Sequence, residues 1–184
     1  MDSDSGNLIP QLHDLFSRME AEYDRVGETY GFTCAGCEDN CCGTGFRHHT
    51  RLELELLREG LNTLDEKTRE HLRENSARAL EAEAAGEKPR CPLLRENRCS
   101  LYKYRPMVCR LHGLPHVLRN PARGEIAGEG CLRFQNLFPD GGGARIDRTS
   151  FYQEFAVLEQ QARREYGDER IAARNIPEMI TEII

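Results

Sequence analysis

Apolar residues recur at Leu8, Leu12, Leu15, Phe16, Met19, Tyr23 and Val26, with polar and charged residues between them. That spacing places one apolar stripe on a helix from about Ile9 to about Thr29, stopped near Gly31, with Phe32 as a packing residue beyond it. A second helix is predicted from near Thr50, carrying Leu54, Leu57 and Leu61 on one side and Gly60 near its end. A third runs from about Asp65 to about Ala85, rich in Glu, Arg and Ala, and ends at Gly86. Its apolar face is thin, little more than Leu72, Leu80 and some alanines, so it reads as mounted on the surface with its charge solvated.

The pattern then breaks up. Between Cys91 and Pro115, two short apolar pieces flank the polar turn Arg95-Glu96-Asn97-Arg98, which predicts a small hairpin and one helical turn before Pro106. From His116 to Thr149 the chain reads as loop, anchored by Cys131, Leu132, Phe134, Leu137 and Phe138. Ser150-Phe151-Tyr152-Gln153 has the form of a capping box, and Phe151, Phe155, Leu158, Ala162 and Tyr166 make a stripe predicted to pack on the first helix. Pro177 marks a helix start, and Ile176, Ile180, Ile183 and Ile184 form an apolar tail that docks on the body or makes an oligomer contact. The fold class is mainly α: a small single domain of amphipathic helices around a cysteine-rich centre with short hairpin and turn segments. A helical N-terminal arm spans 7–31, the cysteine-cluster core 32–135 and the C-terminal helices 150–184.

With 184 residues, the chain is long enough for one domain and its core. A net charge of −6 argues against nucleic acid as a partner. The acidic start Met1-Asp2-Ser3-Asp4-Ser5 and the lack of any apolar run near the ~20 residues of a membrane span predict a cytoplasmic protein. Thiols are kept reduced there, which favours metal binding or catalysis over disulfides; Cys41 and Cys42 could pair with each other only in a strained ring.

The eight cysteines carry the chemistry. Cys34, Cys37, Cys41 and Cys42 fall within nine residues, and Cys91, Cys99, Cys109 and Cys131 follow. Cys34-Ala-Gly-Cys37 puts two thiolates at one turn, where both can reach a soft metal. Adjacent residues of an extended chain point to opposite sides, so Cys41 and Cys42 are expected to serve different metals or different iron atoms of one cluster. The count fits two tetrathiolate sites, or one cluster with the remaining thiols as structural, redox or substrate groups. His48, His49 and His112 are read as neighbours of the centre rather than its ligands. Between Lys88 and Arg110 the chain holds seven Lys and Arg against the single acid Glu96. These cations suit charge compensation of a thiolate centre, with Arg105 and Arg110 as the residues tuning a bound cofactor, or alternatively a pocket for a small anionic substrate.

Cys34-x-x-Cys37…Cys41-Cys42, Cys91-Pro92-Leu93-Leu94, Cys99-Ser100-Leu101-Tyr102 and Arg105-Pro106-Met107-Val108-Cys109-Arg110 together resemble the YkgJ-type cysteine cluster proteins over roughly Cys34 to Cys131. The pattern that names the family places two residues between the second and third cysteines, where this chain has three. The resemblance implies a zinc- or iron-chelating domain, one also found in flagellin lysine N-methylases, and hence metal chelation by the cysteines.

The sequence therefore predicts a metal-binding protein chelating an iron–sulfur (4Fe–4S) cluster or zinc through eight thiolates: Cys34, Cys37, Cys41, Cys42, Cys91, Cys99, Cys109 and Cys131. The adjacent pair and the wide spread of ligands suit a multi-atom cluster better than two zinc knuckles. Two alternatives stay open. One is an iron–sulfur enzyme of the flagellin lysine N-methylase type, although neither the radical C-x-x-x-C-x-x-C spacing nor a glycine-rich methyl-donor signature is visible. The other is a structural zinc module that presents the third helix and apolar tail to a protein partner. Catalytic residues, substrate and oligomeric state stay unassigned at this stage.

Overall fold

The computed structural model describes residues 8–34, 41–141, 143–167 and 173–184. The protein is mainly α, with seven α-helices and two small sheets among the described residues. Contacts group the chain into two compact units, residues 1–37 with 110–167 and residues 38–109 with 168–184. None of the described helices is long and apolar enough to cross a membrane.

In the first unit, α1 (Leu8–Tyr30) follows the predicted stripe, with Leu8, Leu12, Leu15, Phe16, Met19 and Val26 buried. Gly31 ends it in the left-handed region at φ 58°, and the Phe32 amide reaches back to the Gly27 carbonyl at 3.0 Å. This is a glycine-terminated cap in which the next residue, Phe32, is the apolar anchor. The helix α6 (Thr149–Tyr166) lies along α1 with Phe155, Leu158 and Ala162 buried, and the Phe16 and Phe155 rings stack at 6.2 Å. Burying a Leu or Phe side chain of this kind stabilises by about 1.5–3 kcal/mol.

Residues 116–149 do not form the loop read from the sequence. The strand β3 (His116–Asn120) pairs antiparallel with β4 (Gly124–Gly128) and parallel with β5 (Ile146–Asp147), in the order β4-β3-β5. A short helix, α5 (Leu132–Leu137), lies between β4 and β5 in the chain. Its Phe134 is buried with Val26, Phe32, Leu114, Cys131 and Ile146 in the core of this unit. The capping box expected at Ser150 is also absent, because the cap of α6 lies two residues earlier. Arg148 stands at the cap, and the Thr149 amide donates to Asp147 Oδ1 at 3.0 Å.

The second unit is built on α2 (Arg51–Asn62), α3 (Glu66–Ala84) and α7 (Ile176–Ile183). Asp65 caps α3 by accepting from the Thr68 amide at 2.9 Å. The thin face of α3, Leu72, Ser76 and Ala79, is buried, and α3 packs on α7. The apolar tail docks within the chain: Ile176, Met179 and Ile180 join Leu54, Leu57, Leu61, Leu93 and Leu101 in one core, with Ile183 and Ile184 against it. A capping box starts α7, where Asn175 and Glu178 exchange hydrogen bonds of 2.9 and 2.6 Å. The predicted hairpin forms as β1 (Leu94–Arg95) paired with β2 (Arg98–Cys99), and its turn residues Glu96 and Asn97 both have positive φ, 50° and 60°. Two further turns complete the frame: the 3₁₀ turn Tyr102–Tyr104, as predicted, and α4 (Met107–Leu111), which lies across the division between the units.

Candidate metal centre

Among the described residues, five thiols line one pocket of the second unit: Cys41, Cys42, Cys91, Cys99 and Cys109. Cys41 and Cys42 lie in a 3₁₀ turn, Cys41–Gly43, not in extended chain. The turn brings both of them to the same pocket, which removes the reason for assigning them to opposite sides. The Cys91 amide donates to the Cys42 carbonyl at 2.9 Å, fixing the second cysteine segment on the first. Cys99 enters on β2, held by the hairpin, and Cys109 enters on α4 behind Pro106.

The thiols touch one another. Contact with Cys41, then with Cys91, pushes the Cys42 thiol up, and contact with Cys41 together with burial does the same to Cys109. The Cys91 thiol is lowered because Cys42 hydrogen-bonds to it. Burial pushes Cys99 up to about 11, with the Arg105 charge working the other way. Cys41 thus interacts with both Cys42 and Cys109, and Cys42 also with Cys91. Metal binding has to displace protons from this array, since the thiolate is the ligand. Among the described residues no group of three or more Cys, His, Asp or Glu is already set at single-ion geometry.

The walls are mixed. Leu93, Ile176 and Pro177 supply apolar surface, while Lys88, Arg90 and Arg105 bring positive charge to the lining. Arg105 lies over the Tyr102 ring at 3.5 Å and donates to the carbonyls of Tyr102 and Cys109 at 3.1 and 3.4 Å. Arg110 is placed elsewhere, in the first unit. Its buried guanidinium donates to Glu20 at 2.5 Å and sits over the Phe16 ring at 4.5 Å. Of the two arginines singled out from the sequence, Arg105 alone is among the residues lining the pocket.

Cys34 and Cys131 are also in the first unit. Cys34 is exposed, 3.3 Å from the Tyr23 hydroxyl. Cys131 is buried, and its sulfur accepts from the Phe134 amide at 3.4 Å as the cap of α5. Cys37 lies outside the described residues.

His48, read from the sequence as a neighbour of the centre, is at the pocket, and Glu53, not singled out from the sequence, is fixed close to it. His48 lines it, 3% exposed, and burial lowers its basicity. Glu53 is buried on α2, where Oε2 accepts from the Thr50 hydroxyl at 2.6 Å and Oε1 from the Met107 amide at 2.9 Å. Thr50-x-x-Glu53 has the form of a helix cap, and nothing in that form says that the carboxylate also reaches Met107. Contact order, not local pattern, reveals it.

The chemistry of the donor set suits a thiophilic metal: soft sulfur ligands favour zinc and iron–sulfur clusters over the hard cations. The pocket, about 220 Å³, exceeds what one ion or one water needs. No curated protein and no solved structure matches the chain. Residues 33–131 match the CxxCxxCC family, whose description is "Putative zinc- or iron-chelating domain". More than half of the sequence is covered by that match, and the chain belongs to this family of metal-chelating cysteine proteins.

Proposed function

We propose that the second unit holds an iron–sulfur cluster in its thiol pocket, with the ligands drawn from Cys41, Cys42, Cys91, Cys99 and Cys109. One observation carries this reading: adjacent Cys41 and Cys42 reach one pocket together with Cys91, Cys99 and Cys109, and the pocket, about 220 Å³, has room for a multi-atom centre rather than a single four-coordinate ion. A cluster accommodates ligands spread over several metal atoms, so adjacent Cys41 and Cys42 can both serve it. Such a cluster supplies one-electron transfer when bound. Arg105 offsets the negative charge of the thiolates, and Leu93, Ile176 and Pro177 restrict the access of water, both of which tune a cluster's potential. Cys34 and Cys131 belong to the first unit. Free thiols need a reducing compartment, so the working protein belongs in the cytoplasm.

Structural zinc is the second reading, favoured by the charge-compensated, thiol-only character of the lining segments 91–109. Anaerobic purification followed by absorption spectroscopy and analysis of iron, sulfide and zinc on one sample separates the two. Brown protein with iron and sulfide in matching amounts supports the cluster. Colourless protein with stoichiometric zinc replaces it with the zinc reading, and protein that takes up neither metal overturns both.

A further inference from the structure

We infer that His48 is a nitrogen ligand of the metal held in the thiol pocket, an inference that rests on that pocket binding metal. The side chain is 3% exposed and lines the pocket, and its Nε2 atom is buried with no hydrogen-bond partner among the described residues. Buried ring nitrogens in cores are normally hydrogen-bonded, so an orphaned one beside a thiol cluster calls for a ligand. His49, next in the chain, is exposed and is not among the residues lining the pocket.

The backbone holds the residue in place, and a carboxylate lies near the ring. The His48 amide donates to the Arg174 carbonyl at 2.7 Å and its carbonyl accepts from the Arg174 amide at 3.0 Å, an antiparallel bridge to the segment before α7. Nδ1 stands 3.9 Å from Oε2 of Glu53. That carboxylate is itself fixed by Thr50 and by the Met107 amide. A carboxylate on the Nδ1 side favours the tautomer protonated there, which leaves the Nε2 lone pair for metal. The result is a mixed thiolate and imidazole site. Replacing a thiolate by neutral imidazole lowers the negative charge on a cluster and raises its potential.

X-ray absorption at the metal edge tests this on the full chain. Samples are loaded either with zinc sulfate or, anaerobically, with ferrous iron and sulfide. Wild type should show a sulfur shell plus one nitrogen, at ~2.0–2.1 Å in the zinc form. His48→Ala should lose the nitrogen, and His48→Cys should replace it with sulfur at ~2.3 Å in the zinc form. Should His48→Ala fail to fold, by circular dichroism, His48→Cys still decides the question, since it offers a ligand of another element at the same position. A sulfur-only shell in metal-loaded wild type, or a nitrogen that survives His48→Cys, overturns the role of His48 and leaves the thiol pocket standing. Wild type that binds neither metal overturns both.

Discussion

The Met107 amide donates to Oε1 of Glu53 at 2.9 Å across 54 residues of sequence, tying the turn that carries Cys109 to the helix that follows His48. The carboxylate is 4% exposed, so its removal leaves a buried N–H without a partner. Glu53→Ala should cost about 1–3 kcal/mol in urea unfolding and weaken metal retention against a chelator. Stability within about 0.5 kcal/mol of wild type, the usual range for an inconsequential surface change, would contradict this.

Gly60 sits under a ring. A Cβ built there would meet Tyr104 Cγ at 2.6 Å and its Cβ at 2.8 Å. Alanine in a helix interior ordinarily gains ~1 kcal/mol over glycine, but overpacking costs ~1–3 kcal/mol. Gly60→Ala should therefore lower the melting temperature in wild type and raise it in a Tyr104→Ala background. The same sign in both backgrounds would show that Tyr104 moves aside without cost.

Cys131 acts as a cap on α5, its sulfur accepting from the Phe134 amide at 3.4 Å. Serine is a better cap than most residues, so Cys131→Ser should keep the stability of the first unit, while Cys131→Ala lowers it by about 0.5–2 kcal/mol. Neither should change the metal content of the pocket. Loss of metal in Cys131→Ser would return this cysteine to the ligand set.

His116 gives the first unit an acid limit. Burial, and then the Arg148 charge, bring its pKa down from 6.5 to about 4. The folded state thus binds fewer protons than the unfolded chain between these values. The stabilisation is fully present above pH 6.5 and is lost as pH falls through about 4. Melting temperature measured from pH 7.5 to 4 with a chelator present should fall more steeply in wild type than in His116→Gln; parallel curves would rule the histidine out as the cause.

Local signals made much of the fold legible. The stripe of α1, the Asp65 cap of α3, the polar turn of the β1–β2 hairpin and Pro177 in α7 each act over a few residues, and the structure follows them. The sheet of the first unit was not legible because its signal is not local. Most of β4 is exposed and shows no alternation, and β5 pairs with β3 from some thirty residues away. In the pocket, residue type pointed to the thiols. Their grouping depended on a 3₁₀ turn at Cys41–Gly43, and Glu53 and His48 acquire their place from contacts that periodicity does not encode.

Cysteine alkylation resolved residue by residue with mass spectrometry, on the same 184-residue chain with metal bound and after chelation, tests the metal pocket most directly. Metal should slow labelling of Cys41, Cys91, Cys99 and Cys109 by an order of magnitude or more, and leave exposed Cys34 equally reactive in both states. Equal labelling of these four thiols with and without metal, or protection centred on Cys34 instead, would contradict a metal held by the second unit's thiols.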